Sequence, residues 1–242
     1  MKRNIHDIPL YSELAGLRND AQAVQQLRFF KCGEGQYGEG DRFLGVRVPQ
    51  IRRLVARYWK TTSLDDLHIM LSSPFHESRM AALLTLVQQY KHAKNEAEKE
   101  ETVQFYIRHL ERINNWDLVD LSCYEILGPY LWNRDRQLLY DWAQNGETIW
   151  QKRIAIVSTM YFVRRNDLND TLNIAGLLLS SEEDLLHKAV GWLLRDVGKR
   201  DGDVLRSWLK ANYSRLPRTA LRYAIEHFPE EERLTFLKGD FN

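Results

Sequence analysis

Apolar residues recur along this chain at the spacing of an amphipathic helix. One run places Leu83, Leu84, Val87 and Tyr90 on one side, and the same spacing of three and four returns between residues 118 and 127. Residues three or four apart share a helix face, whereas the residues of a strand alternate between two faces. No stretch shows convincing alternation of period two, so the pattern predicts an all-α fold.

The predicted helices are short and come in pairs. Breaks in the pattern delimit five pairs, at about residues 63–92, 97–132, 135–165, 168–200 and 203–228. Two helix starts carry an S-x-x-D capping box, formed by Ser63 with Asp66 and by Ser181 with Asp184. A further helix is expected at about 49–59, after a glycine-rich connection. This organisation predicts a series of stacked helical hairpins.

Aligning the second helices of these pairs brings one column of residues into register. Its members recur about every 30 to 37 residues and are Arg79, Trp116, Arg153, Lys188 and Arg218. A period in this range indicates a HEAT-like helical-repeat solenoid, in which equivalent positions of successive inner helices line a concave face. Because four of the five residues are cations, we expect a basic groove that follows phosphates. We expect residues 1–242 to form one such domain.

A second column lies four residues further on, on the same helical face. It contains Asp120, Trp192 and Arg222, so one carboxylate is expected among indoles and cations. Indoles stack on bases and attract cations, and a carboxylate stabilises an oxocarbenium-like sugar. We interpret Asp120 as a catalytic carboxylate, with Trp116 and Trp192 around the reacting nucleotide. The alternatives are a salt bridge for Asp120 and core packing for the indoles.

Overall charge neither supports nor excludes a nucleic-acid partner. The formal net charge is +1 with 28% charged residues, so only segregation of charge can favour such binding. Residues 47–60 hold five cations and no acid, while residues 94–101 are mainly acidic. Solvated helix faces would explain either run equally well.

Several other classes of protein lack their usual markers. The two cysteines, Cys32 and Cys123, are too few for a disulfide framework and favour a reducing cytoplasm. No signal peptide and no apolar stretch of membrane-spanning length are found. The segment from Gly33 to Gly38 matches G-x-G-x-x-G, but no apolar strand precedes it, and the acids Glu34, Glu39 and Asp41 occupy the loop. A flexible connection between the N-terminal helix and the helix at about 49–59 is therefore favoured over a dinucleotide site. We expect neither a metal nor a cofactor.

Three segments together carry a resemblance to a known family: NNWDLVD, WQKRIAIV and KAVGWLLRD. With the glycine-rich segment YGEGDRFLGVRVP, their order and spacing resemble the AlkD-type DNA alkylation repair glycosylases, which are built from HEAT-like repeats. The resemblance covers nearly the whole chain. It implies excision of positively charged 3- and 7-alkylpurines from duplex DNA without flipping the base into a pocket.

The resemblance also implies which residues act. Matching motif to motif assigns DNA contact and catalysis to Trp116, Asp120, Arg153 and Trp192, the residues already grouped by the repeat register. One departure concerns an N-terminal helix, where better-known members carry a tyrosine. LRFFK offers Phe29 here, or its neighbour Phe30, so a hydroxyl contact to DNA is lost while aromatic packing is kept.

Two other functions are open to the same residues. A non-catalytic module that binds DNA or senses its structure would use the same cations, but a carboxylate facing phosphates weakens binding unless it has chemistry to perform. A scaffold for a protein partner would favour an apolar or mixed concave face, whereas Lys188, Arg218 and Arg222 make this one basic. We therefore expect a monofunctional glycosylase that acts as a monomer.

Overall fold

The computed structural model describes residues 3–240, and its regular structure there is helical. Over these residues the backbone forms α-helices, short 3-10 turns and one isolated parallel bridge between Arg42 and Phe75. The all-α prediction is confirmed. The chain divides by its internal contacts into two compact units, one up to Ser122 and one from Cys123. The expectation of a single domain stays a prediction.

The first unit contains seven α-helices within the described residues. They are α1 (Pro9–Gly16), α2 (Asp20–Phe29), α3 (Val48–Tyr58), α4 (Leu64–Leu71), α5 (His76–Lys91), α6 (Glu96–Arg108) and α7 (Trp116–Asp120). Helix α5 lies at the centre, with α3, α4, α6 and α7 packed against it. Its residues from His76 to Val87 are all buried, so it is the core helix of this unit.

The second unit continues with paired helices. They are α8 (Cys123–Leu131), α9 (Gln137–Asn145), α10 (Ile149–Ser158), α11 (Met160–Val163), α12 (Asn169–Leu178), α13 (Asp184–Arg200), α14 (Gly202–Asn212), α15 (Arg218–Ala224) and α16 (Glu230–Lys238). Helix α13 packs against α10, α12, α14 and α15. Its aliphatic positions from Leu186 to Val197 are buried, so it is the core helix of this unit.

One predicted capping box is confirmed and the other is wrong. Ser63 accepts a hydrogen bond from the amide of Asp66, and Asp66 accepts one from the amide of Ser63. Helix α13, in contrast, begins at Asp184 itself, after Glu183, whose side chain makes no capping hydrogen bond. The Ser181 hydroxyl accepts from the amide of Glu183 instead. Asp184 is thus the first residue of the helix and not the third.

The predicted pairs match the structure except at three places. The pair expected over 135–165 contains a third, short helix, α11, after α10. The pair expected over 97–132 is divided into α6, a 3-10 turn, α7 and α8, because Asn115 caps a new helix at Trp116. Helix α16 lies beyond the last predicted pair. No helix within residues 3–240 is long and apolar enough to cross a membrane.

Candidate functional site

The short helix α7 carries two of the predicted site residues, Trp116 and Asp120. Its start is fixed by Asn115, which is fully buried. The Asn115 side-chain oxygen accepts from the amide of Trp116 at 2.8 Å, and its amide nitrogen donates to Asp41 at 3.2 Å. Trp116 and Asp120 are both half-buried and lie four residues apart, on one face of the helix.

Aromatic rings from the end of α2 surround Trp116. The Phe30 ring stacks on the indole with centroids 5.6 Å apart and planes 25° apart. The Phe29 ring meets the indole at 65°, with centroids 6.0 Å apart. Phe30 is buried, whereas Phe29 is 65% exposed. Phe29 therefore keeps an aromatic contact with the site and a surface open to solvent, but it has no hydroxyl to donate.

A network of buried charged side chains contacts α7 through Asp117. The Nε2 atom of His76 lies 2.8 Å from Asp117, and its Nδ1 atom lies 3.0 Å from Asp41. Burial lowers the pKa of His76, but the charge of Asp117 and the hydrogen bonds to Asp117 and Asp41 outweigh this effect and raise the pKa to about 9. Arg79 also donates to Asp41.

The same network holds the glycine-rich segment in place. Burial alone would raise the pKa of Asp41, yet the hydrogen bond from His76 and the charge of Arg79 lower it below its usual value. A second buried acid, Glu77, accepts from the amides of Leu44, Gly45 and Val46 at 2.8 to 3.1 Å. The expectation of a flexible connection is therefore wrong for residues 41–46, which buried carboxylates anchor.

The second unit places the other predicted cations on neighbouring helices. Lys188 of α13 pairs with Asp184 one turn earlier, at 2.8 Å. Asp184 also accepts from Thr219 of α15, and the hydrogen bond from Lys188 is the main cause of its lowered pKa. Arg218 and Arg222 on α15 are exposed, and Trp192 on α13 is half-buried. Together they make the surface of the packed helices α13 and α15, called here the α13–α15 surface, basic and partly aromatic.

Two cations of the predicted column are buried. Arg79 is 2% exposed and pairs with Asp41, so its assignment to an open groove is wrong. The register could not reveal its partner, because Asp41 comes from a loop outside the repeats. Arg153 is 5% exposed and donates to the carbonyl oxygen of Leu185 at 2.5 Å. Its contact with DNA stays a prediction.

The sequence reasoning missed the network beneath α7. His76 belongs to no histidine motif, and nothing in the sequence pairs it with Asp41 or Asp117. A weak signal was available at Asn115, since asparagine before a helix is a frequent cap. Among residues 3–240 no group of three or more histidine, cysteine, aspartate or glutamate side chains is arranged to hold a metal ion.

Of the comparisons with known proteins, one identifies a family and another supports the fold. A family model described as "DNA alkylation repair enzyme" matches residues 10–228. A solved structure described as a predicted DNA alkylation repair enzyme from Enterococcus faecalis superposes with a TM-score of 0.67 at 16% identity, over 88% of this chain and 97% of that chain. At this identity the likeness shows the fold alone. No curated protein matches the sequence.

Proposed function

We propose that this chain, which belongs to the family of DNA alkylation repair enzymes, is a monofunctional DNA glycosylase. Its substrates are positively charged N3- and N7-alkylated purines in duplex DNA. The enzyme hydrolyses the N-glycosidic bond of the lesion, without flipping the base, and leaves an abasic site. It needs neither a metal nor a cofactor, and we expect it to act as a monomer in the cytoplasm.

The reaction requires few catalytic groups, because the alkylated base is already a good leaving group. As the bond between the sugar C1′ and the purine nitrogen breaks, its electron pair neutralises the cationic base. The sugar acquires the positive charge of an oxocarbenium-like ion, which a nearby carboxylate stabilises. Water then adds to C1′, and its proton passes to the surrounding water. Because the cationic base leaves as a neutral molecule, one carboxylate suffices and no general acid is required.

The observation that carries the proposal is the placement of Asp120 beside Trp116 on α7. Both residues are half-buried, and their spacing of four residues puts them on one face of the helix. We therefore assign the catalytic carboxylate to Asp120, whereas Asp117 binds the buried His76. The indole, backed by Phe30, offers a rigid aromatic surface for the cationic nucleotide.

The second unit supplies residues suited to the DNA backbone. Arg218 and Arg222 are exposed guanidinium groups, and Lys188 can exchange its exposed partner Asp184 for a phosphate at little cost, since surface ion pairs contribute only about 0 to 1 kcal/mol. We propose that these three bind phosphates, that Arg153 assists them, and that Trp192 contacts the lesion nucleotide.

The decisive experiment is release of 7-methylguanine and 3-methyladenine from methylated duplex DNA by Asp120→Asn. The substitution keeps size and hydrogen bonding but removes the charge, so excision should fall by about 10²-fold or more, about 2.7 kcal/mol of transition-state stabilisation. DNA affinity should persist or rise, because a charge that repels phosphates is gone. Asp65→Asn, at an exposed position of α4, serves as the control.

Two outcomes would redirect the proposal. Excision at the wild-type rate by Asp120→Asn would exclude the mechanism, and absence of excision by the wild-type protein together with DNA binding would favour the non-catalytic DNA-binding module. Neutral lesions provide a further check. They lack the good leaving group, so the wild-type enzyme should leave them largely untouched.

A further inference from the structure

We infer that His76 is a positioning residue, whose doubly protonated imidazole ties α7 to the anchored glycine-rich segment and so holds Trp116 and Asp120 in their working places. The inference rests on the function proposed above for Trp116 and Asp120. His76 itself is fully buried and has no contact with the solvent. It acts through Asp117.

The charge of the ring follows from its hydrogen bonds. Asp41 accepts at Nδ1 and Asp117 accepts at Nε2, at 3.0 and 2.8 Å. A neutral imidazole carries one N–H and can donate to only one of two carboxylates, whereas the imidazolium donates to both. A neutral ring would leave a buried lone pair facing a carboxylate oxygen, which is strongly unfavourable.

The groups around the ring balance its charge. Asp41 and Asp117 are acidic, and Arg79, itself near Arg112, is the second cation in contact with Asp41. Two acids therefore face two cations in the buried centre. The aromatic rings of Phe30 and Phe43 also lie against the imidazole, with centroids 4.9 Å from its own. The Asn115 amide contacts Asp41. The Cys32 thiol stays neutral, because burial and, to a lesser degree, the charge of Asp41 raise its pKa to about 11.

Helix α7 depends on this centre because it is too short to persist alone. It has five residues, little more than one turn, and isolated helices of that length are unstable in water. Polar contacts with the network are made on both sides of Trp116, by Asn115 to Asp41 and by Asp117 to His76. If His76 lost a proton, an uncharged ring with a single N–H would stand between two carboxylates. The hydrogen bond between His76 and Asp117, which ties α7 to the network, would then be weakened or lost.

This arrangement predicts that the stability of the protein and the placement of α7 change at alkaline pH. The pKa of His76 in the folded protein is about 9, above its ordinary value of about 6.5 in an unfolded chain. The stabilisation is therefore complete below about pH 6.5, and it declines between 6.5 and 9 as the unfolded chain loses its proton first. The placement of α7 in the folded protein should change only as the pH passes through about 9.

The wild-type protein provides a direct test by nitrogen-15 NMR of its histidine rings. Both ring nitrogens of His76 should be protonated at pH 7.5 and titrate near pH 9, and Asp117→Asn should shift this titration to lower pH. A neutral His76 ring at pH 7.5, or a titration unaffected by Asp117→Asn, would overturn the inference. This measurement does not depend on enzymatic activity.

A second test follows Trp116 through fluorine-labelled tryptophan, with its resonance assigned by Trp116→Phe. The resonance should shift with a midpoint near pH 9 in the wild-type protein. It should lose this step in His76→Gln, which has one amide nitrogen in place of two ring nitrogens and does not titrate. His92→Gln, at the exposed end of the same helix α5, should keep the step. A His76→Gln protein with the wild-type titration of Trp116 would refute the positioning role.

Activity then separates the inference from the proposed function. The single-turnover excision rate of His76→Gln should fall by about 10-fold or more, because small misplacement of a reacting group is costly, while DNA affinity stays near that of wild type. Absence of the NMR titration steps from the wild-type protein would defeat only the inference about His76. Normal titration steps in a wild-type protein without excision activity would defeat only the glycosylase proposal. Should His76→Gln fail to fold, the wild-type and Asp117→Asn titrations still decide the matter.

Discussion

Gly191 of α13 lies so close to Ala220 of α15 that a Cβ atom on Gly191 would stand 2.5 Å from the carbonyl oxygen of Ala220. The Cβ of Tyr223 would be equally near. The glycine of the G-W motif is thus a packing residue, which lets the two helices approach each other. It brings the helix that carries Lys188 and Trp192 against the helix that carries the exposed arginines.

Replacement of this glycine should therefore destabilise the second unit. Gly191→Ala forces a methyl group against backbone, and overpacking of this kind costs about 1 to 3 kcal/mol, or a few degrees in Tm for a chain of this size. Gly176→Ala is the matched control, because a Cβ there meets nothing within 4 Å and alanine is the better helix former. Thermal melts of both variants test this, and a Gly191→Ala protein as stable as Gly176→Ala would contradict the packing role.

Glu77 should be among the most sensitive polar positions of the first unit. It is 1% exposed and accepts from three consecutive backbone amides. Glu77→Gln turns an NH₂ group toward those amides, so at least one buried donor loses its partner, at about 1 to 3 kcal/mol. Denaturant unfolding measures the loss. Glu34→Gln, at an exposed position of the loop between α2 and α3, should unfold like the wild-type protein.

The helical pairing was predictable because it depends on local periodicity. Spacings of three and four identified the helices, and the capping box at Ser63 located a helix start. Prediction failed where a distant side chain decides the local structure. Asn115 starts a new helix within a predicted pair, supported by a hydrogen bond to Asp41, which lies 74 residues away. No pattern within one repeat can indicate such a contact.

Of the candidate site, the common helix face of Trp116 and Asp120 was predictable from the repeat register. Their roles, which the resemblance also assigns, stay predictions. The register could not tell a cation of the surface from one paired in the core, so Arg79 was misplaced. His76 could not be identified from the sequence, because its role depends on Asp41 and Asp117, which only folding brings into contact with its ring.

Binding to duplex DNA should weaken steeply with salt if the α13–α15 surface contacts phosphates. The slope of log affinity against log salt should be about −0.9 per neutralised phosphate, so Lys188→Ala and Arg218→Ala should each flatten it by about one unit. Arg233→Ala, an exposed cation of α16, should leave the slope unchanged. Binding that is independent of salt would exclude this surface as the phosphate contact.

Arg153→Ala is expected to behave differently from these variants. Its guanidinium is buried against α13 and donates to the Leu185 carbonyl, so truncation removes packing and leaves a buried acceptor without this donor. Stability should fall by about 1 to 3 kcal/mol in the absence of DNA, as measured by denaturant unfolding. An unchanged stability combined with a flatter salt slope would instead place Arg153 with the phosphate-binding cations.

The two indoles should matter more for base release than for binding. Trp116 presents a face backed by Phe30, and stacking on a base contributes about 1 to 3 kcal/mol. If that contact strengthens as charge develops, Trp116→Ala and Trp192→Ala should each slow excision by about 10-fold or more while DNA affinity changes less. Trp208→Ala, half-buried on α14, controls for the loss of a large side chain, and melting temperatures identify variants that are partly unfolded. Equal losses in excision and binding would mean that the indoles serve packing, and the cationic nucleotide would then have to be recognised by Asp120 alone.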